Sequence, residues 1–140
     1  MDMKMKEQLL DVLTDLLPYV KGILVYGSFT KGYADATSDI DICAIEREGI
    51  ESKDLYERIL KVSVDKRYDI VVFNKIPWYL KGEILEHNEV VYAENADDLD
   101  FWLYKQLKVW NGMKKRQSTV SADDLIGRVE EGRLKRDRSI

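Results

Sequence analysis

At 140 residues, 45% of them hydrophobic and 34% charged, the chain has the length of one domain and enough apolar residues to fill one core. A single cysteine excludes an internal disulfide and a cysteine-built metal cluster, which suits a reducing, cytoplasmic setting, and no apolar run is long enough to span a membrane or serve as a secretory leader. The net charge of −4 is unevenly spread, with 14 Lys and Arg against 21 Asp and Glu in residues 1–112 and 8 against 5 in residues 113–140; so acidic a body disfavours nonspecific contact with a nucleic-acid backbone.

In chain order, Leu9, Leu13 and Leu16, with Leu10 and Leu17, recur at helical spacing and predict an amphipathic helix over Met5 to Tyr19. Ile23 to Tyr26 reads as a first strand running into Gly27-Ser28. Glycine lets a backbone approach a ligand closely, and serine offers both a hydroxyl and an amide to phosphate oxygens. If Phe29 to Lys31 forms a helical turn, its free N–H groups aim the same way. After a loop containing Gly32, Asp39 to Ile45 reads as a second strand. Alternate strand residues share a face, so Asp39 and Asp41 project together while Ile40 and Ile42 point away. Two carboxylates held side by side repel unless a cation or a shared proton neutralises them, and an all-oxygen donor pair suits a hard divalent ion such as Mg²⁺. A phosphate cradle beside such a pair describes a nucleotide site. Aspartate is poor in strands, so two at this spacing after a Gly-Ser turn are ill explained as solvent-facing filler.

Beyond the turn at Arg47-Glu48-Gly49, Ser52 is placed to cap a helix running to about Val64, with Leu55, Ile59 and Val62 towards the sheet. Tyr68 to Phe73 is the third strand, with Asp69, Val71 and Phe73 on one face; Asp69 stands beside Asp39 and Asp41 if the two strands pair, and Asp65 is the rival third carboxylate. Pro77 suits the first turn of a helix to about Glu86, and Val90 to Ala93 is a short edge strand. From Asp98 to about Arg116 one long helix carries Leu99, Trp102, Leu103, Leu107, Val109, Trp110 and Met113 in an arc of roughly 160°, wider than the roughly 100° stripe of a surface helix. Phe101 and Tyr104 lie outside even that arc. The arc fits packing on the sheet, or an interface with a partner or a second copy. The tail after Ser118 reads equally as disorder or as a partner-dependent helix, weakened by Gly127 and Gly132. Lys31 is a phosphate contact or a solvated loop lysine, and Ser38 caps its loop. Cys43 reads as a small packed residue and His87 as a surface residue without a second histidine to share a metal. Neither G-x-x-x-x-G-K-[ST] nor G-x-G-x-x-G occurs, which removes P-loop and dinucleotide folds from consideration.

Gly27-Ser28, Gly32 and Ser38-Asp39-Ile40-Asp41 together resemble the G-S-x(n)-D-x-D signature of the polymerase β-like nucleotidyltransferases, in particular the minimal nucleotidyltransferase group, over roughly Gly22 to Asn95. The resemblance implies a third carboxylate from a neighbouring strand, matched by Asp69. It also implies two Mg²⁺ ions held by Asp39, Asp41 and Asp69, and phosphates held at Gly27, Ser28, Lys31 and Ser38. ATP is the implied donor of a nucleoside monophosphate to a hydroxyl.

The expectation is therefore an α+β fold: a small mixed sheet of about four strands with helices packed on one face, residues 1–96 forming a nucleotidyltransferase core and 97–140 a C-terminal helix and basic tail. Template copying needs further domains to grip a primer, and none is legible here. Minimal members resemble antitoxins that transfer AMP to a tyrosine of a HEPN-domain toxin, which makes a protein partner the leading acceptor by analogy. A small-molecule acceptor, such as an aminoglycoside hydroxyl, is the second reading, and a nucleotide- or toxin-binding module without turnover the third.

Overall fold

The leucine spacing and the alternation around Ile23 and Ile40 generate the two kinds of element that make the core. The structure is a computed structural model and describes residues 2–27, 39–64 and 67–118. Helix α1 (Met3–Val12) is capped by Asp2, whose Oδ1 accepts from the Met5 amide at 2.7 Å. The predicted single helix then divides. Thr14 Oγ1 donates back to the carbonyls of Leu10 and Asp11, and Thr14–Tyr19 tightens into a 3-10 turn containing Pro18, a residue that cannot continue an α ladder. The leucines keep their role across the break, with Leu9, Leu13 and Leu16 all buried.

Strand β1 (Val20–Tyr26) pairs antiparallel with β2 (Ile40–Glu46). Helix α2 (Ser52–Val62) then crosses over to β3 (Tyr68–Val72), which pairs parallel with β2, as a helical crossover allows and a hairpin does not. Ser52 does not cap α2. Glu51 holds the cap position without a side-chain bond, and Ser52, one residue inside the helix, donates its Oγ to Glu46 Oε2 at 3.1 Å. Arg58 secures the outer side of α2 by donating to the Tyr19 hydroxyl at 3.2 Å and lying over its ring. Phe73 leaves the strand into a 3-10 turn, Phe73–Lys75, and is buried there. Helix α3 (Trp78–Glu86), entered through Pro77, leads to β4 (Asn88–Ala93), antiparallel to β1. Asn95 Oδ1 accepts from the Asp98 amide at 3.0 Å at the start of α4 (Ala96–Ser118). The sheet is mixed, four-stranded, in the order β3-β2-β1-β4.

On one face of the sheet, Ile23, Val25, Ile40, Ile42 and Ala44 pack with Leu9, Leu13 and Leu16 of the N-terminal helical segments and with Leu55 and Ile59 of α2. The opposite face is covered as well, so the helices are not confined to one side. Leu24, Cys43 and Ile45, of opposite parity, are fully buried outside that cluster. Leu99 of α4 reaches this face at Gly22, where a Cβ would lie 2.8 Å from Leu99 Cδ2 and 3.2 Å from the Tyr92 carbonyl oxygen. Phe73 meets Trp102 edge-on at 4.8 Å. In the first turns of α4, packing on the sheet accounts for Leu99 and Trp102, whereas Phe101 and Tyr104 remain 60% and 55% exposed.

The contacts divide the chain into two compact units, residues 1–107 and 108–140. In the second, Lys114 lies over the Trp110 ring. The readings made above for Ser28, Lys31, Ser38, Asp65 and the tail from residue 119 lie outside the described residues.

Because Gly22 is the place where β1 and α4 touch, Gly22→Val is expected to destabilise the fold by about 1–3 kcal/mol, the usual cost of overpacking. Leu60→Ala, at a position 69% exposed, is expected to stay within about 0.5 kcal/mol of wild type. Urea unfolding of both variants measures the contrast.

Candidate active site

The two strand pairings that build the sheet also build the site. Asp41 lies directly opposite Tyr26 on one side and directly opposite Asp69 on the other. Tyr26 in turn lies opposite Asn88. Directly opposed residues share a face, so Asn88, Tyr26, Asp41 and Asp69 form one row across all four strands at one end of the sheet. Neighbouring strands are about 4.8 Å apart, so the backbones that carry the two carboxylates are neighbours in the sheet. Asp39 is exposed and lies one residue before β2 begins. Asp69 is exposed and Asp41 half-buried.

Gly27 closes β1 with φ +77°, a left-handed conformation that glycine adopts without steric cost. A Cβ here would fall on Asp41 Oδ2 and lie 3.2 Å from its Cγ. The bare backbone of the turn and the carboxylate of Asp41 therefore occupy adjoining space, which is where a phosphate chain and a metal would have to meet.

The electrostatics follow from this crowding. Burial, and then the charges of Asp69, Asp39 and Glu83, raise the Asp41 carboxyl above its ordinary value of 3.8. Burial and the nearby Asp41, Cys43, Asp69 and Glu83 raise the Tyr26 phenol, which stays protonated. Burial pushes the Cys43 thiol up to about 12, so Cys43 is a packing residue and no nucleophile. His87 is exposed.

Among the described residues, no three carboxylate, histidine or cysteine side chains converge to enclose an ion by themselves. Mg²⁺ does not require that. It is usually held by one or two carboxylates together with water and substrate phosphates, and an oxygen-only pair whose repulsion a cation would relieve fits it. Sequence reasoning brought Asp41 and Asp69 together and missed three companions: Tyr26 and Asn88 in the row, and Glu83 on α3. Tyr26 had a signal, since it shares a strand face with the residues flanking the turn; Asn88 had another, as an asparagine just past a helix end. Glu83 had none, because its place depends on how α3 packs.

Since the folded state raises the Asp41 pKa, the stability it carries is complete below 3.8 and is lost as pH rises through the folded value. In EDTA at pH 7, Asp41→Asn is therefore expected to melt above wild type, with the difference vanishing below about pH 4; calorimetric melting at both pH values measures it.

Comparison with known proteins gives the family and the fold. Residues 7–97 match the family described as "Polymerase beta, Nucleotidyltransferase". The Methanocaldococcus jannaschii protein named "Putative protein adenylyltransferase MJ1547" is 36% identical over 97 residues, 69% of this chain and 75% of that one. A chain from the crystal structure of a toxin–antitoxin with AMP-PNP superimposes with a TM-score of 0.63 at 19% identity, over 86% of this chain and 98% of that one. A chain from the Shewanella oneidensis complex of a tri-AMPylated HEPN toxin with an MNT antitoxin gives a TM-score of 0.59 at 16% identity, over 86% and 95%. At those identities the two structures speak for the fold. The family match spans more than half of the sequence, the relative exceeds a third identity, and on both grounds the chain belongs to the polymerase beta nucleotidyltransferase family.

Proposed function

We propose that this nucleotidyltransferase moves AMP from ATP to a hydroxyl on a protein partner. The observation that carries the reading is the opposition of Asp41 and Asp69 across β2 and β3, beside a turn whose missing side chain lets the Asp41 carboxylate lie against its backbone. Asp39 and Asp41 would hold Mg²⁺, with Asp69 helping a second ion, and the bound metal supplies neutralising charge for the triphosphate oxygens. The chain's own groups do the remainder. The Gly27 backbone admits the phosphates, with Ser28, Lys31 and Ser38 as their further contacts. Asp69 accepts the proton of the acceptor hydroxyl. That oxygen attacks the α-phosphorus in line, the bond to the bridging oxygen breaks, and pyrophosphate leaves.

The acceptor class rests on two supports. The M. jannaschii relative bears the name of a protein adenylyltransferase, and the AMP-bearing toxin of the S. oneidensis complex sits with an MNT antitoxin. The acidic body of residues 1–112 disfavours a nucleic-acid acceptor. The same supports favour a HEPN-type partner and an antitoxin role, and the single cysteine suits a cytoplasmic setting. Residues 97–140, with the exposed aromatics Phe101 and Tyr104, are the proposed place of contact with that partner or with a second copy.

Incubation with α-labelled ATP, Mg²⁺ and lysate of the native host is expected to label one discrete protein band, and Asp41→Asn is expected to abolish it. Label confined to small molecules would replace the protein acceptor with an antibiotic-type one, and label in RNA would overturn the acceptor class. Asp69→Asn is expected to retain ATP affinity within about threefold while transfer falls by about a hundredfold or more, measured by calorimetry and single-turnover labelling.

A further inference from the structure

Lysine is rarely buried without a close partner, and Lys21 departs from that rule. Between Val20 and Gly22, strand β1 takes two residues against one step of β2, so Lys21 is the extra residue of a bulge, a device that re-aims a side chain out of the strand alternation. Its side chain is 19% exposed, with Nζ 5.8 Å from the centre of the Trp102 ring and 3.6 Å from Glu48 Oε1, a carboxylate that is itself 92% exposed. Arg47 gives Nη2 to Glu94 Oε1 at 2.7 Å, while its Nε is buried and has no hydrogen-bond partner. On α4, Lys105 lies over the Phe101 ring at 4.8 Å. Lys21, Arg47, Lys105, Phe101 and Trp102 line one cavity of about 380 Å³. It lies at the end of the sheet away from the carboxylates, because the run of β1 from Lys21 to Tyr26 is on the order of 15 Å.

The lining sorts by depth. Its shielded groups are donors and a ring: the Lys21 ammonium, Arg47 Nε and the Trp102 indole, which meets Phe73 edge-on. Its two carboxylates, Glu48 and Asp98, are exposed. A buried donor without a partner costs free energy that an acceptor recovers, and a cation shielded from water draws an anion more strongly than one in bulk solvent. Aromatic side chains beside such donors offer faces on which a planar ring stacks. We propose that this cavity is a second ligand site, separate from the transfer site, for a small anion that carries a planar ring. The anionic group lies on Lys21 and Arg47 Nε with Lys105 at the rim, and the ring lies against Phe101 and Trp102. A nucleoside monophosphate and an aromatic carboxylate share this chemistry. The site goes beyond the transfer reading and does not depend on it.

The readout is the indole N–H signal of Trp102 in proton–nitrogen NMR of the full chain in EDTA, assigned with the help of Trp78→Phe and Trp110→Phe. AMP is expected to move it saturably, with adenosine and inorganic phosphate each binding about tenfold or more weakly, since each lacks one half of the recognised group. Lys21→Met is expected to weaken AMP binding about tenfold. Phe101→Ala, at a position 60% exposed where the fold does not depend on the ring, is expected to weaken it about fivefold. The backbone signals of Tyr26 and Asn88, at the other end of the sheet, are expected to stay in place. Phenylacetate is the second arm: tighter binding of AMP assigns the site to nucleotides, and tighter binding of phenylacetate assigns it to aromatic carboxylates. The proposal is overturned if neither ring-bearing anion moves the Trp102 signal, or if phosphate or adenosine binds as tightly as AMP. It is equally overturned if AMP binding is unchanged in both variants, or if the response centres on Tyr26 and Asn88.

Discussion

The register between β2 and β3 is the constraint on which the site depends. Side chains alternate along a strand, so a slip of one residue would send Asp69 to the opposite face, among the helices that cover Ile40 and Ile42. What prevents the slip is largely apolar. Ile40 and Ile42 are buried on the side away from the carboxylates, and Leu55 and Ile59 press the crossover helix onto them. The Ile40 amide donates to the Arg67 carbonyl at 2.8 Å and fixes where the parallel ladder begins. Asp41 then falls opposite Asp69 as a consequence of core packing, with no attraction between the two required.

Such an arrangement runs against the preference of the charges themselves. Burial and three other carboxylates act on Asp41 in the same direction, and among the described residues no lysine or arginine is paired with it. A fold that holds like charges together at one end of its sheet keeps them there through hydrophobic contacts elsewhere. Here both faces contribute: the leucines of α1 and the turn after it on one, and Leu24, Ile45, Phe73 and Leu99 on the other. The repulsion is a local cost that a bound cation would relieve.

Much of this was legible in the sequence for a simple reason. Asp39, Asp41 and Asp69 depend on period-two alternation, which survives small errors in strand ends; Asp69 stayed on the right face although its strand stops at Val72 and Phe73 departs. Element ends were less legible because competing local bonds decide them. Thr14 and Pro18 turned one helix into a helix and a 3-10 turn, and the second helix begins at Ser52 itself, which leaves the cap position to Glu51. The covering of the second face was hidden because Leu99 and Trp102 fit packing and partner binding equally well. Glu83 was illegible altogether, since its charge acts on Asp41 and Tyr26 only through the docking of a helix whose own pattern says no more than that Ile84 and Leu85 are inside.

Strand β3 is one of the two edge strands and the shortest of the four, paired on one side only and by a parallel ladder, with Val72 its sole buried residue. Edge segments with few buried contacts open at a lower free energy than the centre of a sheet. The amides of β3 will therefore exchange with solvent before those of β1, and each such opening carries Asp69 away from Asp41 while the rest of the domain stays folded. The opposition of Asp41 and Asp69 is thus a property with its own melting curve, set by the peeling of five residues and separable from the global unfolding of the chain that carries them.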